Sequence, residues 1–232
     1  RKLMEYKECF EIMGKDRNSY SKTDLEATFM RMKDDHMRNG QLKPAYNVQI
    51  AVENYFIIHG YVSNDRTDYN TLVPVIQKHI RAFGDVLKEV TADSGYCSEK
   101  NLRYLKEQKI ESYIKLQDHE QRKTRAYQKN IGKYYNMTTQ TFEDERYYIC
   151  HDGRELRHIR TEEKEMEGYT QTLEVYGCAD CSGCEHKAKC LYRYNPEKDV
   201  DKNKVMKINE YWEELKEKTH ANIQSEKGIR NR

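Results

Sequence analysis

From residue 46 the chain settles into an alternation of apolar and polar positions with a period of two. Val48, Ile50 and Val52 alternate with Asn47, Gln49 and Ala51, and the run YFIIHGYV follows Glu53 and Asn54. A period of two belongs to strands, and Asn54 tolerates the positive φ of a tight turn, so this stretch predicts an antiparallel hairpin. After the loop SNDRTD the period becomes helical, with Tyr69, Leu72, Val73, Ile76, Ile80 and Phe83 on one face. Pro74 falls inside that pattern. Either the helix starts near Leu72, where a first-turn proline is tolerated, or it is kinked. VLKEVTAD then reads as a short strand, SEKNLRYLKEQ as a helix beginning near Ser98, and ESYIKL as a second strand. Strand, helix and strand with such short connections predict a parallel βαβ crossover, so the fold class is α/β.

The flanks are less regular. Residues 1–45 are polar and charged and predict a helix followed by irregular chain, with GKDRNSYSKTD as a loop. Between 117 and 200 the strand and helix rhythm breaks into a basic run, a hairpin-like YYICHDGRELRHI and a cysteine cluster, which reads as an inserted subdomain. From Val205 through Ile208, Trp212 and Leu215 a helical period returns, so 201–232 is expected to be a helix rejoining the core of 46–116. The chain starts at Arg1 without an initiator Met and ends in a charged helical tail, and is expected to be an excised piece.

Composition narrows the class. At 232 residues there is room for one full domain and a small appended one. Hydrophobic residues make up 37% against 34% charged, and 19 Tyr outnumber 5 Phe, so a lean core must lean on amphipathic rings. Forty-one basic and 39 acidic residues leave a net charge of +2, so any nucleic-acid affinity must come from local patches. The run RKTRAYQKNIGK supplies Arg122, Lys123, Arg125, Lys129 and Lys133 with Tyr127 interleaved and no acid. It reads as a nucleic-acid-binding patch or as a solvated, mobile loop. No stretch approaches the roughly 20 apolar residues of a membrane span and no signal-peptide series is present, so no membrane partner and a cytoplasmic location are expected.

The sharpest chemical signal is CADCSGCEHKAKC. Cys178, Cys181, Cys184 and Cys190 are spaced C-x2-C-x2-C-x5-C, four of the seven cysteines in one short run. Thiolates at such spacing converge on one soft cation and complete a closed tetrahedral Zn2+ site. An iron–sulfur cluster is the rival, but its ferredoxin-type run places the last Cys differently and follows it with Pro, whereas Leu191 follows Cys190. His186 and Cys150 are spare ligands, and Cys150 reads equally well as a small buried hydrophobe. A closed site is structural, because no position is left to activate water.

Asp93 ends the strand VLKEVTAD, where α/β sheets collect ligands and catalytic groups, though a lone Asp there also suits an Asx turn. TADSGYCSEKN, the upstream MRMKDDHMRNGQLKPAYNVQIAVEN and the cysteine run occur in one order. Together they resemble the DDE transposases of bacterial insertion sequences, in the group with a cysteine-rich insert. The resemblance runs from SYSKTDLEATFMRMKD to SEKGIRNR. It implies an RNase H-like mixed sheet with flanking helices, DNA as substrate, assembly as a homo-oligomer on DNA, and three acids holding catalytic Mg2+. The family's middle acid lies in A-D-x-G-Y, matching Ala92, Asp93, Gly95 and Tyr96, so Asp93 is the catalytic and Mg2+-binding candidate. Two such ions, about 4 Å apart, activate the attacking hydroxyl and stabilise the leaving oxygen.

The resemblance also implies a first Asp before residue 1 and a final Glu after Arg232. Asp24, Asp34, Asp35, Glu213, Glu214 and Glu226 therefore take no catalytic role, and the chain alone is expected not to cleave DNA. Lys33 and Lys43 are candidate phosphate contacts beside Arg122, Lys123 and Arg125, with a solvated role as the alternative. Tyr46 is either such a contact or packing. His36 and His59 read as surface or strand-packing residues and Trp212 as core. A different class of function remains open, a non-catalytic zinc-containing nucleic-acid-binding or interaction module on the same fold.

Overall fold

A computed structural model describes residues 2–15, 17–32, 37–84 and 86–231. In chain order the elements are α1 (Lys2–Met13), β1 (Thr28–Arg31), β2 (Leu42–Ala45), β3 (Asn47–Glu53), β4 (Phe56–Ser63), α2 (Leu72–Phe83), β5 (Glu89–Ala92), α3 (Glu99–Glu107) and β6 (Glu111–Ile114). They continue with α4 (His119–Arg122), α5 (Arg125–Gln128), β7 (Thr138–Phe142), β8 (Glu145–Ile149), β9 (Glu155–Met166), β10 (Tyr169–Cys178), α6 (Lys187–Cys190), β11 (Val205–Ile208), α7 (Glu210–Gln224) and α8 (Glu226–Arg230). The chain forms two compact units, one of residues 1–115 with 222–232 and one of residues 116–221. Among the described residues no helix is long and apolar enough to cross a membrane.

In the first unit, β3 and β4 form the expected hairpin, with Asn54 at φ 48° and Tyr55 at φ 70°, the paired positive values of a primed turn. Its burial pattern inverts the simple expectation. Val48, Ile50 and Val52 are 59%, 58% and 59% exposed, while Gln49 between them is 8% exposed. The opposite face of the hairpin meets α2, where the His59 ring lies 5.4 Å from His79 and 5.7 Å from Phe83. α2 starts at Leu72 and places Pro74 in its first turn, where an unpaired N–H is not missed, and Gly84 at φ 78° ends it by donating to the Ile80 carbonyl.

β5 and β6 pair in parallel across α3, with Glu89 opposite Glu111 and Ala92 opposite Ile114. The Ser98 hydroxyl caps α3 by accepting the Asn101 N–H at 3.2 Å. Leu102, Leu105, Ile110 and Ile114 are buried beneath it, each such side chain contributing about 1.5–3 kcal/mol by leaving water. α8 closes on this pair through Lys227, which ion-pairs with Glu89 and Glu111. One expectation is corrected in the lead-in. The chain after α1 is not irregular throughout, because β1 and β2 pair antiparallel, with Thr28 opposite Ala45.

The second unit is built on a five-stranded antiparallel sheet in the order β11-β10-β9-β8-β7. Its core holds Met137, Tyr148, Leu156, Tyr176, Cys178, Cys181 and Ile208. Tyr148 and Tyr176 meet edge to face at 4.9 Å, so rings do supply much of a lean interior. The helical reading of residues 205–208 is overturned. Val205–Ile208 is the edge strand β11 on β10, with Glu174 opposite Ile208, and the helix begins only at Glu210. Two β-branched residues beside an unpaired strand edge gain more from the ladder than from another helical turn. β11 and α7 as far as residue 221 belong to this second unit, where the sequence reading returned the chain to the core at 201.

Candidate active site and metal centre

Asp93 leaves the end of β5 in extended conformation and precedes a 3-10 turn over Ser94–Tyr96. Its Oδ1 accepts from the Ser94 N–H at 2.6 Å and from the Ser94 hydroxyl at 3.3 Å, so the carboxylate caps the turn. It is exposed, and among the described residues no donor reaches Oδ2. One hard oxygen is thus held in place and the other is open.

A second carboxylate, absent from the sequence reading, stands against the same turn. Asp68 Oδ1 accepts from Asn47 Nδ2 at 2.8 Å and Gln49 Nε2 at 2.9 Å, both on β3, and Gln49 Nε2 also reaches Asn47 Oδ1 at 2.6 Å. Its main-chain carbonyl takes the Thr71 hydroxyl at 3.0 Å. Asp68 Oδ2 presses on Gly95, where a Cβ would lie 2.8 Å away, closer than side chains pack. Burial first, then the nearby Asp68 charge, pushes the Tyr96 hydroxyl up from its ordinary value, against the lowering effect of its hydrogen bond with Thr71. The only sequence signal for Asp68 was its place in SNDRTD just before a helical period. Its partners become visible only once the hairpin register is known.

β3, β5 and α2 enclose a groove of about 650 Å³ that reaches Tyr96. Along it run Gln49 to Glu53 of β3 with the turn residue Asn54, and Glu89 to Ala92 of β5. Among the described residues β3 pairs only with β4, and β5 only with β6, so both strands turn an unpaired edge to this groove. A divalent ion of Mg2+ type needs several hard oxygens. Asp93 offers one, which fits as part of a larger set, and Asp68 Oδ1 is already occupied by two amides. Among the described residues no three His, Cys, Asp or Glu side chains already stand close enough together to hold an ion.

In the second unit, Cys178, Cys181, Cys184 and Cys190 line one small opening together with Cys150. The turn at Cys181 is closed by the Cys184 N–H donating to the Cys181 carbonyl, and Asn203 Oδ1 accepts the Cys181 N–H at 2.9 Å. All are free thiols, and burial pushes the Cys178 thiol up to about 11, with Cys184 and Cys190 raised for the same reason. The donors are uniformly soft, which suits zinc. His186 instead packs its ring against His151 at 4.7 Å.

The candidate DNA contacts divide. Arg122 Nε lies 3.0 Å from Asp118 and Lys123 Nζ lies 3.1 Å from Glu120, so both are already neutralised by carboxylates outside the basic run. Tyr127 stacks on Tyr135 at 4.4 Å. Arg125 is exposed and, among the described residues, pairs with no carboxylate, and Lys43 is exposed on β2. Lys33 lies outside the described residues, as do Asp34, Asp35 and His36. Tyr46 gives its hydroxyl to Asp24 at 2.9 Å, and Trp212 is half-buried with Lys216 Nζ 5.5 Å from its ring centroid.

No curated protein and no solved structure matches the chain. The model of the transposase DDE domain matches residues 17–217, which takes in β1 through most of α7 and includes both Asp93 and the cysteine run. The chain belongs to the transposase DDE domain family.

Proposed function

We propose that the chain is the catalytic-domain part of a DNA transposase of insertion-sequence type, in which Asp93 is the middle acid of the metal-binding set. The observation that carries this is the open Oδ2 of Asp93 at the end of β5, in a chain that belongs to a DDE family. An RNase H-like sheet is supported by the order hairpin, helix, strand, helix, strand, with β5 and β6 parallel. The groove between two unpaired strand edges has the form of a seat for one further strand, which would join the two small sheets into one.

When bound, divalent ions supply charge for an in-line displacement at phosphorus. The chain's own part is positional. The Ser94 N–H holds Asp93 Oδ1 and leaves Oδ2 free of protein donors among the described residues, and Asp68 stands close against that turn at Gly95. DNA is the partner in this reading, engaged as a homo-oligomer in the cytoplasm. Lys33, Lys43, Arg122, Lys123 and Arg125 are its contacts, with Arg122 and Lys123 exchanging carboxylate for phosphate. Cys178, Cys181, Cys184 and Cys190 form a structural Zn2+ site in the insert. The capping bond to Ser94 favours a second reading, a non-catalytic zinc-containing DNA-binding module in which Asp93 serves only its turn.

The test is Mg2+-dependent cleavage and strand transfer on transposon-end DNA by protein made from the complete reading frame, with Asp93→Asn beside it. Asn keeps the shape and the cap but loses the charge. Activity present in the parent and reduced to background in the variant, with DNA binding unchanged, is the expected result. Full activity in Asp93→Asn removes the catalytic role and leaves the module reading.

A further inference from the structure

We propose that the opening between the basic run and the cysteine run is a phosphate site for the DNA backbone, in which Lys129 and Lys189 hold one phosphodiester and Asn130, His151 and His186 donate to it. The inference rests on the DNA reading of the chain and adds a contact outside Arg122, Lys123 and Arg125.

These five residues come from three segments of the second unit, the chain after α5, the turn after β8 and the region of α6, and they line one opening of about 450 Å³. Ligand sites run from about 300 to 1,000 Å³. No carboxylate lines this one. Asp152 and Glu185 adjoin the two histidines in sequence without lining the opening, and Asp152 is engaged by Arg154 at 2.8 Å. Lys129 and Lys189 are exposed and, among the described residues, neither pairs with an acid. Two ammonium groups on one recess repel each other, and a phosphate between them turns that repulsion into charge-assisted hydrogen bonds. Asn130 Oδ1 already accepts the Gly132 N–H at 3.1 Å, so Nδ2, which meets no acceptor among the described residues, is the atom left to donate. His151 and His186 meet edge to face at 4.7 Å, and each neutral imidazole keeps one N–H to give.

The walls are held by contacts that need no metal. Lys204, 9% exposed, donates Nζ to the Gly132 carbonyl at 2.7 Å and to the Cys190 carbonyl at 3.1 Å, so one buried lysine ties the basic run to the cysteine run. Gly132 lies so close to the Cys190 carbonyl that a Cβ would overlap it. A recess fixed in this way loses less freedom on binding than lysines on a free loop. Its continuation favours a polymer over an isolated anion. Ala126 and Asn130 also line an adjoining opening of about 790 Å³, where Lys133 is exposed and, among the described residues, pairs with no acid. The two carboxylates of that opening, Asp118 and Glu213, are taken by Arg122 and Lys216. Arg122 must give up Asp118 to take a phosphate, whereas Lys129, Lys133 and Lys189 have no ion pair to break.

The experiment titrates the purified chain, in reducing buffer, into a fluorescent DNA duplex of random sequence over a series of salt concentrations, since phosphate contacts carry no sequence information. Inorganic phosphate serves as competitor. The double variant Lys129→Gln, Lys189→Gln is expected to flatten the slope of log affinity against log salt by about 1 and to weaken binding on the order of fivefold at physiological salt, the share of one phosphate. Lys129→Arg with Lys189→Arg, which keeps both charges, should bind as the parent does, and so should Lys164→Gln, which removes an exposed lysine on β9. Parent-like slope and affinity in the double Gln variant, or an equal loss in Lys164→Gln, overturn the inference while the DNA reading stands. Competition by micromolar inorganic phosphate that the double Gln variant abolishes assigns the site to a free anion and overturns the backbone assignment. A parent chain that binds no duplex overturns both the inference and the DNA reading.

Discussion

Gly95 sits where a side chain has no room, since a Cβ there would approach Asp68 Oδ2 to 2.8 Å. Gly95→Ala must push either the turn or the carboxylate aside, and is expected to cost about 1–3 kcal/mol, as overpacking does. Asp68→Ala removes the acceptor shared by Asn47 and Gln49, and since Gln49 is buried the one amide N–H left without its acceptor, the other still reaching Asn47 Oδ1, should cost about 1–3 kcal/mol. Because the two residues touch, the double variant should destabilise by clearly less than the sum of the singles, read by urea unfolding. Strict additivity would mean that the contact carries no energy. At this scale Asp93 and the cysteines were legible because each sits in a local motif. Asp68 and the place of Cys150 were not, because their partners lie on strands whose pairing no local pattern states.

Elements were legible where period and punctuation agreed. Asn54 marked the hairpin, Ser98 the start of α3, and Pro74 the first turn of α2. They failed at Val205–Ile208, where a four-residue pattern fits helix and strand alike and the neighbouring β10 decided between them. The packing of β4 on α2 carries its own pH signature. Burial, with His79 and Lys78 adding positive charge nearby, lowers the pKa of His59 below its ordinary 6.5, and among the described residues its Nε2 has no hydrogen-bond partner. The unfolded chain therefore binds the proton more readily than the folded one. The stability His59 contributes is complete above its unfolded pKa and is lost as pH falls through that value toward the folded one. The denaturant midpoint should drop between pH 7.5 and 5.5, and His59→Phe should reduce that drop. Burial also lowers His220 in the second unit, so part of the drop should persist in the variant. An unchanged drop in His59→Phe would show that His59 does not contribute.

At the level of the whole molecule, two units with separate interiors predict separable stability. Metal ligation of the proposed kind contributes on the order of 10 kcal/mol to folding, so chelation should expose residues 116–221 to hydrogen exchange while α3, β5 and β6 keep their protection. Uniform loss of protection in both units would argue that they fold as one. The near balance of charge leaves no global field for DNA, and the acids that pair Arg122 and Lys123 lie outside the run that first suggested a patch. Sequence by itself determined the helical and strand periods of 46–116, the strand-end position of Asp93 and the close spacing of the cysteine run, because each is set by neighbours a few residues apart. Only the tertiary structure decided that Val48, Ile50 and Val52 are exposed, that among the described residues two strands leave unpaired edges on one groove, that Asp68 lies against the Asp93 turn, and that Cys150 lines the same opening as the other thiols. Those outcomes depend on which strands pair and in what register, and pairing energy is shared between segments that the linear pattern describes separately.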